Sequence, residues 1–191
     1  MENGAVTNPK PEGQRRQFKV WFLEWMETIV VAFVAVTLCF TFLARIITVE
    51  GISMEPTYFN GNRVLVTSLA GEAKKGDVVI IVHALEDTII KRVVATEGQW
   101  VDFDAELGEL TVDGEPVKGE EFHIENGITF VPEYPGKVME FPQQVPEGCV
   151  FVLGDNRAHS TDSRYIDVGM VDRRNILGRV ILNLYPFSFV K

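Results

Sequence analysis

Cysteine is scarce in this chain of 191 residues, and so is any excess of positive charge. The two cysteines stand far apart, Cys39 inside an apolar run and Cys149 deep in the polar part. Neither a disulfide framework nor a cysteine-based zinc site follows from them. Formal net charge is -9, and residues 1–50 carry five basic and five acidic side chains, so the whole acidic excess lies after Glu50. That balance argues against nucleic acid as a partner. Histidine is rare as well. His159 with Asp155 and Asp162 supplies ligand atoms without a recognised metal-binding spacing, and no metal or cofactor is expected. Internal repeats and a second domain boundary are also lacking.

What the chain does have is one long run without charge. Residues 28–44 read TIVVAFVAVTLCFTFLA. At about 1.5 Å per residue this spans roughly 26 Å, near the lower limit for a membrane helix, and the flanks can extend it. A core helix with no polar face would have to be surrounded on all sides, and a cleaved leader would show a shorter apolar region before a small-x-small site. A retained anchor over residues 18–45 is therefore expected, with Trp21 and Trp25 as interfacial aromatics and Arg45 at the far end. Residues 1–17 are polar and read as a disordered arm. Lys10, Arg15, Arg16 and Lys19 make that arm basic, which places it in the cytoplasm and residues 46–191 outside.

Beyond the anchor the pattern changes to short β-branched or alternating runs punctuated by glycine, the pattern of a mainly β domain. Strands are expected at 46–49, 63–67, 77–83, 88–96, 100–104, 110–117, 150–153 and 179–184, with Asp113-Gly114 as a tight hairpin. Residues 118–147, rich in Gly, Pro, Glu and aromatics, read as a long insertion at the edge of the domain.

Three stretches carry chemistry. In GISMEPT, residues 51–57, Ser53 is a nucleophile if a base and oxyanion donors are supplied from elsewhere, and a turn residue bonded to its own backbone if not. The strand TIIKRVVAT offers that base. Lys91 is flanked by β-branched neighbours, and desolvation would lower its pKa until its neutral amine can accept a proton. A lysine at a sheet edge would do neither, and Arg92 fits that edge role better. The third stretch, GDNRAHSTDSR at 154–164, follows an apolar strand as a dense polar loop. On residue types alone a Ser-His-Asp triad through His159 or His83 is also open, with His83 and His123 otherwise ordinary strand or loop residues.

Taken together, GISMEPT, IIKRVV and GDNRAHSTDSR resemble the nucleophile, lysine and C-terminal boxes of the type I signal peptidases, over nearly the whole chain. The resemblance implies a mainly β, signal-peptidase-like β-barrel-like module on one N-terminal transmembrane helix. It also implies an endopeptidase that removes signal peptides from exported preproteins, with those preproteins and the lipid bilayer as partners. By position, Ser53 would attack the scissile carbonyl and Lys91 act as general base, while the backbone N–H of Ser53 helps to hold the oxyanion. Ser160 would hydrogen-bond Lys91, Asp162 and Arg164 would support the site as a salt bridge, and Gly154, Asp155 and Asn156 would form the turn that shapes it. Met54 and Ile90 would lie near the pocket for the small residue before the cut. Three departures accompany the match: Gly51 stands where some relatives have an oxyanion-hole serine, ATEGQ replaces GLPGD after the lysine, and YIDVGMV after Arg164 is slightly long. Alternative readings are a self-cleaving Ser-Lys protease of the repressor type and an inactive membrane-tethered β binding module.

Overall fold

The computed structural model describes residues 12–42, 44–69, 71–82, 85, 87–104, 106–119, 137–185 and 187–189. The chain divides into two units, one ending at Phe42 and the other running from Leu43 to Lys191.

The first unit is a single helix, α1 (Glu12–Phe42). Within it, residues 17–38 are long and apolar enough to cross a membrane. Their length, about 33 Å at 1.5 Å per residue, matches a hydrocarbon core of roughly 30 Å. Its apolar side chains are exposed, Phe33 and Leu38 among them. The two hydroxyls that such a stretch must satisfy internally are satisfied: Thr28 Oγ1 donates to Glu24 O at 2.9 Å and Thr37 Oγ1 to Phe33 O at 2.8 Å. The rings of Trp21 and Trp25 lie with centroids 5.8 Å apart, tilted by 54°. The helix starts within the arm expected to be disordered. Residues 12–17, EGQRRQ, contain good helix formers and extend a helix already nucleated, at little further cost. Residues 1–11 of that arm lie outside the described residues.

At the other end the helix stops before the expected boundary, because Arg45 belongs to a strand. In the second unit β1 (Ala44–Thr48) pairs antiparallel with β2 (Arg63–Thr67), setting Arg45 opposite Val66. The further strands are β3 (Val78–Ile81), β4 (Ile89–Thr96), β5 (Trp100–Asp104), β6 (Glu109–Val112), β7 (Glu115–Pro116), β8 (Gln143–Gln144), β9 (Cys149–Leu153), β10 (Val171–Asp172), β11 (Ile176–Tyr185) and β12 (Phe187–Phe189). Among the described residues they form two sheets. The larger runs β1-β2-β11-β3-β4-β9-β10 with β12 beside β11, and the smaller runs β7-β6-β5-β8. The mainly β architecture read from the sequence is present, with one apolar helix before it.

Alternation decides the small sheet: β5 buries Val101 and Phe103 and exposes Trp100, Asp102 and Asp104. The expected strand at 110–117 is a hairpin, β6 and β7, turning at Asp113 and Gly114 with φ of 54° and 79°. β4 differs in that both of its faces are covered, and Ile90 to Ala95 are all buried between β3 and β9. A central strand of this kind needs a continuous apolar run, and its two charges must find partners inside.

Part of the segment expected as an insertion, 118–147, belongs to the domain. Residues 120–136 lie outside the described residues, but from Lys137 onward the chain belongs to the domain. Val138 bridges to Tyr165, β8 pairs with Trp100 and Val101, and Phe141 packs edge-on between Phe103 and Phe151. Single apolar anchors, spaced without period, gave no strand signal there.

β11 is the strand that joins the larger sheet, lying between β2 and β3 and antiparallel to both. Gly178 makes its crossing possible. A Cβ there would stand 2.6 Å from Thr67 O and 2.8 Å from Val66 Cγ1. Gly178→Ala should therefore destabilise the domain on the order of 1–3 kcal/mol, seen as a Tm lowered by several degrees in detergent. An unchanged Tm would mean that β11 and β2 lie farther apart than described.

Candidate active site

Ser53 sits on the loop between β1 and β2, and Lys91 sits on β4. The loop is pinned on both sides. Val49 N donates to Asn62 O at 2.8 Å, and Gly51 N donates to the Asn60 side-chain oxygen at 3.0 Å. Gly51 has φ +85°, a conformation that a serine would adopt only under strain, so this loop favours glycine where some relatives carry a hydroxyl. Met54, next to Ser53, is buried with Val64, Ile80 and Ile90 and anchors the loop to the core. The expectation that it lies by the substrate pocket is corrected: the cleft beside Ser53 is lined by Ile90, and not by Met54, whose side chain is committed to the core.

Lys91 is 3% exposed. Its Nζ donates to Ser53 Oγ at 2.8 Å and to Ile90 O at 3.0 Å. Burial pushes its pKa down to about 8, although Asp162 and Asp155 nearby pull it up and Arg164 adds to the fall. The cleft onto which both side chains open has a volume of about 820 Å³. Of the three histidines, His159 is exposed, while His83 and His123 lie outside the described residues.

The polar loop after β9 supports this pair from behind. Asn156 N donates to Ser53 O at 3.0 Å, and Asn156 Nδ2 donates to Ile52 O at 3.1 Å. Arg92 is 1% exposed and grips Asp155 with two bonds, Nε to Oδ1 at 2.8 Å and Nη2 to Oδ2 at 2.7 Å, while Thr57 Oγ1 donates to the same carboxylate. The reading of Arg92 as an edge charge fails because β4 is central. Asp162 accepts from Arg164 Nε at 2.8 Å, from Arg164 Nη2 at 3.0 Å and from Gly154 N at 3.0 Å. Burial alone would push its carboxyl up, but the Arg164 guanidinium and the Gly154 N–H hold it below the ordinary value. Both aspartates named in the metal reading thus have arginine or backbone partners. Among the described residues no group of three or more His, Cys, Asp or Glu is placed to hold a metal.

Ser160 departs from its expected role. Its Oγ is buried beside Asp162 but outside hydrogen-bond geometry, and it makes no bond to Lys91. Arg157, which the sequence reading did not single out, is buried. Its Nη1 donates to the carbonyls of Gly154 and Asp155, its own carbonyl accepts from Arg164 Nη2, and burial lowers its pKa to about 10. Asp, Asn and Arg in a polar loop announce a structured turn but not which charges go inside, so only Asp162 and Arg164 were foreseen as a pair.

Gly154 is where the two loops touch. A Cβ at this position would fall 2.2 Å from Ser160 Oγ and 2.5 Å from Ser53 O. The first obstacle is a side chain and can turn, but the second is the backbone of Ser53 itself. Gly154→Ala should displace Ser53 from Lys91 and lower kcat about a hundredfold, the scale of a displacement near 1 Å at a reacting centre, with circular dichroism still showing a folded β domain. Wild-type turnover would mean that Ser53 is positioned independently of this turn.

Residues 22–185 match the family model described as signal peptidase, peptidase S26. A signal peptidase I of Bacillus licheniformis is 32% identical over 179 residues, covering 88% of this chain and 91% of that protein. A signal peptidase IB of Staphylococcus aureus is 32% identical over 182 residues, covering 88% and 92%. A crystal structure of a signal peptidase I from Enterococcus faecalis V583, 24% identical, covers 56% of this chain and 96% of its own at a TM-score of 0.42, too loose a superposition to carry an argument. The family match spans the Ser53 loop, the Lys91 strand and the Asp162 loop alike, and on it the chain belongs to the signal peptidase family, peptidase S26.

Proposed function

We propose that the protein is a membrane-anchored serine endopeptidase that removes signal peptides from exported preproteins through a Ser53–Lys91 dyad. The observation that carries this reading is the 2.8 Å contact between Lys91 Nζ and Ser53 Oγ, with the amine buried and the hydroxyl open to a cleft. When Lys91 is neutral, the Ser53 hydroxyl donates across the same contact and gives up its proton as Oγ attacks the scissile carbonyl. The backbone N–H of Ser53 makes no hydrogen bond to the described residues and is available to the oxyanion. Protonated Lys91 then gives its proton to the leaving amine, and neutral again it deprotonates the water that releases the acyl group from Ser53.

Ser160, Asp162 and Arg164 serve this chemistry indirectly by fixing the turn at Gly154, Asp155 and Asn156 against the Ser53 loop. Ile90 lines the cleft and would meet the substrate near the cut. An inactive binding module leaves the buried amine beside an open hydroxyl without a purpose. The self-cleaving repressor type is not favoured beside a signal peptidase family match over residues 22–185.

Lys91→Arg should be as inactive as Lys91→Ala, because guanidinium cannot offer a neutral amine. For the wild type, burial lowers the pKa of Lys91, so the reactive neutral form is gained as pH rises through about 8 and lost on acidification. A pH–rate profile of precursor cleavage should rise with an apparent pKa near that value. A folded Lys91→Arg protein that cleaves at near wild-type rate would overturn the dyad.

Charge supports an orientation with the N-terminal arm in the cytoplasm and the β domain outside. Four basic residues, Lys10, Arg15, Arg16 and Lys19, precede the apolar stretch, and Arg45 alone follows it closely. We expect protease added to intact cells to digest the domain beyond Glu50 and to spare the N-terminal arm. Digestion of that domain only after lysis would reverse the topology.

A further inference from the structure

The cleft that holds the dyad also holds two carboxylates that catalysis does not use. Glu50 and Asp87 line it together with Lys91, and among the described lining residues these three are the charged ones. Glu50 is exposed and stands between two pinned residues, since Val49 N and Gly51 N are both bonded to the 60–62 turn. Its backbone is fixed and its side chain is left to the cleft. Asp87 is exposed just before β4, four residues ahead of Lys91. Neither carboxylate forms an ion pair with a described residue, in contrast to Asp77, Asp155, Asp162, Asp167 and Asp172, each of which has a cation. With Lys91 neutral, as the reaction requires, the described lining residues carry two negative charges and no positive one.

We infer that Glu50 and Asp87 set a charge preference in the cleft, favouring preproteins with a lysine or arginine within about three residues of the cut over those with an acidic residue there. This rests on the proposed peptidase reading and deepens it. The reach follows from chain geometry. Glu50 is three residues from Ser53, at most about 10 Å along the backbone, and a bound extended peptide covers the same distance in about three residues. Opposite charges across a cleft attract, and like charges are rejected. Exposed pairs are individually weak and are screened by salt, so the preference is modest and dependent on ionic strength.

The test uses the full-length protein in detergent and one signal-bearing precursor, with lysine, glutamine or glutamate placed in turn at each of the three positions on either side of the cut. At one or more positions the kcat/KM ratio of the lysine form to the glutamate form should reach about fivefold at low salt, as expected for weak exposed pairs. The ratio should fall toward one at 0.5 M salt, where the screening length is only on the order of 4 Å. It should also fall toward one in Glu50→Gln/Asp87→Asn, with each single variant between. The glutamine form, cleaved by wild type and not by Ser53→Ala, checks the peptidase reading separately. If it is cleaved while the ratio stays near one at every position, or survives both salt and the double variant, the charge preference is refuted and the peptidase stands. If wild type cleaves none of the precursors, both readings fall.

Discussion

A lysine amine held inside the protein next to a hydroxyl is the interaction on which the rest of this structure depends. Six charged side chains are buried around it: Lys91, Arg92, Arg157 and Arg164 against Asp155 and Asp162. If all were ionised, four positive charges would face two negative ones. Each aspartate is matched to its own arginine by two hydrogen bonds, which leaves little carboxylate charge for the lysine. Its pKa accordingly falls with burial, and the neutral amine becomes accessible near neutral pH. The sign of the stability effect follows. Burial penalises the protonated amine in the folded state, so the penalty is present below about pH 8 and fades as pH rises toward the unfolded value of 10.5. The fold thus gives up some stability near neutral pH to hold this amine inside.

Much of the scaffold could be read from the sequence because the forces that shape it are local. The strands at Arg63–Thr67 and Trp100–Asp104 were placed to the residue, since each alternates buried and exposed positions over five residues. Asp113-Gly114 announced its hairpin through the backbone it permits. Ser53 and Lys91 were singled out by motif, and the β-branched neighbours on β4 pointed to the burial that lowers the pKa of Lys91.

The parts that were not legible depend on partners distant in the chain. Nothing near Arg92 says that it will be buried, since its carboxylate lies 63 residues away on another loop. Met54 adjoins the nucleophile, and only the packing of Val64, Ile80 and Ile90 around it shows that it faces inward. Ser160 was assigned to Lys91 by motif position, whereas in the structure its hydroxyl is buried without a hydrogen bond to Lys91. The short strands Gln143–Gln144 and Val171–Asp172 have too few residues to show a period, and exist because β5 and β9 present edges to them.

The position of β11 has a consequence for when the protein can become active. In the hydrogen-bonded order of the sheet, the β1-β2 pair that brackets Ser53 and the β3-β4 pair that carries Lys91 are joined through β11, which ends at Tyr185. A nascent chain holds both members of the dyad long before it holds the strand that brings them together. Before β11 is in place, the Ser53 loop and the Lys91 strand therefore belong to two separate hairpins, and the sheet that would set one against the other is incomplete.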